Sequence, residues 1–171
     1  MEFFDVVKSR HSIRAFAETP IDKDKVQAIL TAANRAPSAG DLQAYEIYMV
    51  TRDQDRSALA RAALEQWFIA QAPVVLVFCA HPARSAPRYG ERGERLYAIQ
   101  DATIACSFAM LAATALELAT VWVGAFDDDS VRRAISAAAE ILPVAILPVG
   151  YGAEKPEITP RRRLSKLVHE V

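Results

Sequence analysis

Two periods of hydrophobicity divide the chain. Val26, Ile29, Leu30 and Ala33 recur at three- and four-residue intervals, which places them on one face of a helix that Asp22 is positioned to cap and that stops before Pro37. A shorter helical pattern carries Phe3, Phe4, Val6 and Val7 ahead of Arg10, and Pro20 separates the two. Residues 45–51 alternate aromatic and branched side chains as a strand does. Val74, Val75, Leu76, Val77, Phe78 and Cys79 instead form an unbroken apolar run, suited to a central strand covered on both faces. Between these strands, residues 53–70 are rich in Ala, Leu, Arg and Gln without a proline, which predicts one or two helices. Residues 81–93 hold two prolines, two glycines and several arginines, and predict a loop lying over a surface or a ligand.

Residues 96–118 predict a helix about 35 Å long at 1.5 Å per residue. Ile99, Ala102, Cys106, Ala109, Ala113 and Leu116 share one face of it, and Ile104, Phe108 and Leu111 make the other face apolar as well. A helix apolar nearly all round must be enclosed on several sides, by its own sheet and by a second subunit. Residues 120–123 read as a strand, Asp129 or Ser130 as the cap of a short helix reaching about residue 139, and residues 144–149 as a further strand. Residues 154–171 carry three consecutive arginines and too few apolar side chains for a core of their own, so this tail must dock elsewhere to be ordered. The whole, residues 1–171, reads as one α+β domain with a C-terminal tail at residues 154–171, and 171 residues suffice for one sizeable core but not two.

Charge and cysteine usage narrow the function classes. Twenty basic against twenty-one acidic residues give a net charge of −1, which supplies no whole-protein attraction to nucleic acid or to an anionic membrane. Between Asp101 and Glu117 the uncharged stretch is 15 residues, short of the roughly 18 that suggest a membrane span. The first residues, Met1 to Asp5, carry acids where an export signal would carry a basic flank. Cys79 and Cys106 sit in apolar runs with no histidine or second cysteine at metal-ligand spacing, which predicts buried free thiols in a reducing, cytoplasmic compartment. No Ser/His/Asp set, metal cluster, Walker loop or Rossmann glycine pattern is present, so the chemistry must come from a cofactor.

Three short segments are suited to holding one. Arg10, Ser12 and Arg14 alternate, so an extended backbone projects them from the same face, where two guanidinium groups and a hydroxyl suit a phosphate ester. His11 can add a backbone or ring N–H; a solvated basic patch at a helix end is the competing reading of this segment. Pro37-Ser38-Ala39-Gly40-Asp41-Leu42-Gln43 is turn chemistry between helix and strand. Gly124 and Ala125 follow Val121-Trp122-Val123, where exposed backbone N–H groups can face a ligand without introducing a titrating group, while Trp122 itself reads as core.

These segments, in this order and spacing from residue 3 to 168, resemble the flavin-binding segments of the nitroreductase family. The resemblance implies a mixed sheet flanked by helices and a homodimer with flavin mononucleotide (FMN) at the subunit interface. It implies that Arg10 and Ser12 bind the flavin phosphate, that Arg14 points toward the ribityl chain or pyrimidine edge, and that Pro37, Ser38 and Ala39 pack on the flavin ring of the partner, with Gln43 close by. The same resemblance assigns a backbone donor near flavin N5 to Gly124 and Ala125. It also assigns a returning phosphate ligand to Arg161, or to Arg163, which shares its face in an extended chain, and a pyrimidine-edge contact to Gln66. Asp101, in a segment similar to the shorter family members, reads as a helix-start charge or an interface hydrogen-bonding residue, not as a catalyst. The activity implied is ping-pong hydride transfer from NADH or NADPH through flavin N5 to nitroaromatics, quinones or related small electrophiles. A flavin-binding sensor or carrier, and an offshoot with dehalogenase or flavin-breakdown chemistry, are the alternatives. The chain departs from the family pattern at Asp41, at Ala44-Tyr45 and at Glu117 to Ala119.

Overall fold

The computed structural model describes residues 2–171; Met1, with its part in the N-terminal reading, lies outside them. Four strands form one sheet in the order β1-β2-β4-β3, where β1 is Tyr45–Val50, β2 Val74–Ala80, β3 Ala119–Thr120 and β4 Leu142–Gly150. All three ladders are antiparallel. The mixed character expected of the sheet is confined to one parallel bridge, in which Ser12 pairs with Thr120 along the β3 edge.

β2 is buried along its whole length, as its unbroken apolar run requires. Its alternation feeds two cores. Leu76 and Phe78 face a layer containing α2 (Lys23–Asn34) and α6 (Ala98–Ala115), where Ile29 and Ala33 meet Ala102, Ala105, Cys106 and Ala109. Val75, Val77 and Cys79 face the opposite layer of α3 (Asp53–Ala62), α4 (Phe68–Gln71) and α7 (Asp128–Ala134), where Leu59, Ile69 and Val131 are fully buried. The small side chains of α6 permit close approach of α2. By length and composition, α6 with the helical turns before it could cross a membrane, but α2, β2 and β4 pack against it as against a core helix.

Three expectations are corrected. Residues 81–93 are not a loop but α5 (Pro82–Arg92), continued through a π-helical turn, Gly93–Tyr97, into α6. Pro82 lies in the first turn, where its missing N–H would have no partner in any case, and the bend is absorbed at Gly90, whose φ of 56° is open to glycine. On α6, Ile99 is exposed while Asp101 is buried. The cap of α7 is Asp127, which accepts from the Ser130 N–H at 2.8 Å. The Ser130 side chain first, then this backbone N–H, holds the Asp127 carboxyl below the usual range, with Arg133 and Arg132 adding to the effect.

Candidate active site

Residues 10–14 leave α1 (Phe3–Ser9) in an extended conformation along β3. Ile13 is buried and donates to the Thr120 carbonyl at 3.1 Å, and Ser12 and Arg14 on either side of it are exposed. Alternation about Ile13 thus brings Ser12 and Arg14 to the outer face, while Arg10, at the C-cap of α1, is half-buried. Among the described residues no carboxylate pairs with the Arg10 or Arg14 guanidinium. The His11 ring nitrogen Nδ1 lies 2.7 Å from the Ser9 carbonyl, which fixes the ring beside this face.

The turn after β3 lies on the same edge of the sheet, its Val123–Ile146 bridge three residues along β4 from the Thr120–Val149 pair. Val123 and Ile146 exchange backbone hydrogen bonds at 3.0 Å, and the Asp127 N–H donates to the Ala62 carbonyl at 2.9 Å, so both ends of the turn are pinned. Gly124 and Ala125 between them are exposed, and among the described residues nothing accepts from their N–H groups. Gln66 joins this turn directly, donating through Nε2 to the carbonyls of Ala125 at 3.2 Å and Ala63 at 2.8 Å. Trp122 is half-buried and packs against the α2/α6 core. Free cations on the same sheet edge as unbonded backbone donors fit a phosphate ester and a heteroaromatic ring that needs N–H groups.

The segment 37–43 lies elsewhere. Tyr45 opens β1 and pairs with Ala80, which pairs with Leu142, whereas Thr120 pairs with Val149, which pairs with Val74. The loop before Tyr45 and the Ser12–Thr120 bridge therefore occupy diagonally opposite corners of the sheet, roughly 25 Å apart at ordinary strand spacing and rise. No mononucleotide covers that distance, so one chain does not bring its two predicted halves together.

The loop itself is strained and braced. Gly40, Asp41 and Gln43 all have left-handed φ values, of 58°, 56° and 47°. Two of them carry side chains that cost on the order of 1 kcal/mol or more there, and such a conformation persists only where its surroundings impose it. Asp101, 2% exposed, accepts from the Ala39 N–H at 2.9 Å through Oδ1 and from the Ala44 N–H at 3.2 Å through Oδ2. From α5, Arg84 donates to the carbonyls of Gln43 at 2.7 Å and Tyr45 at 3.0 Å and pairs with Glu46, and Arg88 donates to the Gly40 carbonyl at 3.1 Å. A side chain at Gly40 would collide with the Tyr89 hydroxyl and the Arg88 guanidinium. The Ser38 hydroxyl accepts from the Gln43 N–H at 3.0 Å, so Ser38 shapes the loop. Burial first, then the neighbouring Asp101 carboxylate, pushes the Tyr45 hydroxyl up, against the opposing pull of Arg84.

Pro37, Ser38 and Ala39 wall a cavity of about 450 Å³ with Tyr97, Gln100, Asp101, Thr103 and Ile104. A larger cleft, about 790 Å³, lies between Phe16, Glu18, Asp53 and Pro73, but its one guanidinium, Arg56, is already held by the Ala72 carbonyl and Asp53. Both cysteines are fully buried, and that burial pushes the Cys79 thiol up to about 12 and Cys106 higher still, away from the thiolate form.

The tail begins beside the phosphate-type segment. Ala153 donates to the Ala15 carbonyl at 2.9 Å, and the Arg14 N–H donates to the Glu154 carboxylate. Farther on it is exposed throughout, and among the described residues Arg161 donates to the Thr159 carbonyl alone. Among the described residues neither Arg161 nor Arg163 is hydrogen-bonded to residues 10–14.

Sequence and fold comparisons identify relatives of the whole domain. The family profile described as Nitroreductase family matches residues 7–71 and 66–151. A protein of Methanocaldococcus jannaschii named as a nitroreductase is 32% identical, covering 88% of this chain and 91% of its own. The oxygen-insensitive NADPH nitroreductase of Salmonella typhimurium is 28% identical, over 97% of this chain and 72% of its own. The solved NADPH:FMN oxidoreductase of Vibrio harveyi, in complex with NAD+, superposes with a TM-score of 0.90 at 26% identity, over 98% of this chain and 76% of that one. With a profile match over most of its length and the same architecture in a solved relative, this chain belongs to the nitroreductase family.

Proposed function

We propose that the protein is an FMN-dependent NAD(P)H oxidoreductase working as a homodimer, each flavin held between one chain's residues 10–14 and the other's residues 37–43. The observation that carries this reading is the pairing of unneutralised Arg10 and Arg14 with the unbonded N–H groups of Gly124 and Ala125 along one edge of the sheet. The names of the relatives, NADPH nitroreductase and NADPH:FMN oxidoreductase, point the same way. The diagonal separation of the two halves supports the two-chain site. So do the exposed Phe3, Phe4 and Val7 on α1, Phe108 on α6, and Leu164, Leu167 and Val168 in the tail, apolar surface suited to cover by a second copy.

In this reading Arg10 and Ser12 hold the phosphate, with His11 beside them, and Arg161 or Arg163 returns to it when the tail docks on the dimer. Arg14 lies along the ribityl chain or pyrimidine edge. Gly124 and Ala125 offer N–H groups to the ring, and Gln66, through its bond to the Ala125 carbonyl, fixes their orientation. Pro37, Ser38 and Ala39, with Gln43, cover the ring from the other chain and exclude water. When bound, FMN accepts a hydride from NADH or NADPH and delivers it to a second small molecule, of which nitroaromatics and quinones are the class proposed. Free buried thiols suit a cytoplasmic setting.

Purified protein is expected to carry FMN and to bleach at about 450 nm within seconds of anaerobic mixing with NADH or NADPH, inside ordinary turnover times. Flavin that binds but stays oxidised would make the protein a sensor or carrier, and absence of flavin binding would overturn the reading.

A further inference from the structure

We propose that Asp101 is a positioning residue for the flavin: its carboxylate, buried in α6, sets the ring-facing shape of residues 37–44 by binding two of their backbone N–H groups at once. This rests on the flavin reading above. The two bonds leave from different oxygens to donors five residues apart, Ala39 and Ala44, and so clamp the loop at both ends of its left-handed stretch. Only an acceptor-only group can do this. An amide of the same shape would turn its NH₂ toward one of the two N–H donors and lose that bond. Asp101 is also the single charged residue lining the cavity next to Pro37, Ser38 and Ala39. It touches the loop from inside while Arg84 and Arg88 hold its carbonyls from α5, so the loop's donors and acceptors are fixed by opposite charges on its two sides.

The position of the loop should then affect the ring and not the phosphate. Flavin is removed from the full-length protein, and FMN and riboflavin are titrated into wild type, Asp101→Asn and Arg10→Ala by fluorescence quenching. Asp101→Asn is expected to weaken both ligands by the same factor, on the order of tenfold, and to shift the visible spectrum of the bound flavin. Arg10→Ala is expected to weaken FMN alone. A folded Asp101→Asn protein with unchanged affinity and spectrum overturns the proposal, as does one whose melting temperature falls while flavin binding stays the same. If Asp101→Asn does not fold, Ala39→Pro deletes one of the two donors from the loop side. Ser38 is already extended, at φ −137° and ψ 158°, as a residue before proline should be. Equal weakening of both flavins by Ala39→Pro supports the clamp, and no change overturns it. A wild type that binds neither flavin overturns the flavin reading itself, whereas normal wild-type binding with silent variants overturns the role of Asp101 alone.

Discussion

At the scale of single residues, the phosphate ligand and the loop clamp differ in how their charge is compensated. Arg10 is half-buried and has no carboxylate partner among the described residues, so its charge is available to a ligand anion. Arg10→Ala is expected to weaken FMN binding by about 2–3 kcal/mol through loss of a charge-assisted donor, and to leave riboflavin unaffected. Isothermal titration with both ligands checks this, and equal losses would assign Arg10 to the fold. The outward placement of Ser12 and Arg14 was legible because its meaning is local: once Ile13 is buried, its neighbours face out. The part played by Asp101 was not. Its partners lie 62 and 57 residues away, and nothing in a helix-start aspartate says which loop will fold over it.

At the scale of elements, continuous apolar runs were the most readable feature. β2 could be placed because seven buried residues in succession have only one environment, the middle of a covered sheet. Residues 81–93 look like a loop in sequence because prolines and glycines break most helices, yet here Pro87 sits inside α5. Pro82 falls in the first helical turn, Gly90 takes up the bend, and Arg84 and Arg88 are occupied with the carbonyls of the neighbouring loop. The tail is the element whose ordering depends most on context. Its first residues are tied to Ala15 and Arg14, and the rest is exposed. Deleting residues 159–171 is expected to lower FMN occupancy and melting temperature together, since a ligand bound only by the folded state stabilises it by mass action. Retention of flavin through dialysis by the truncated protein would remove Arg161 and Arg163 from the site.

At the scale of the whole molecule, the two core layers on either side of the sheet account for one chain, and the apolar groups left outside them call for another. Light scattering of the FMN-loaded protein at micromolar concentration is expected to give twice the chain mass, and a monomer mass would exclude the two-chain site. The sequence pattern indicated a second subunit through the all-apolar α6, yet most of that surface is covered within the chain by α2 and the sheet. Phe3, Phe4 and the tail, which carry more of the exposed apolar area, were readable only as short helix and unanchored tail, because exposure is a property of the finished fold.

The placement of the loop and the Ser12–Thr120 bridge at opposite corners of the sheet has a genetic consequence. If every site takes its arginines from one chain and its loop from the other, two differently damaged chains can repair each other. In a dimer of one Arg10→Ala chain and one Asp101→Asn chain, both lesions fall in the same site and the second site is assembled entirely from intact parts. Random reassociation of equal amounts would make about half the dimers mixed and restore about a quarter of all sites, so two defective preparations would regain activity on mixing.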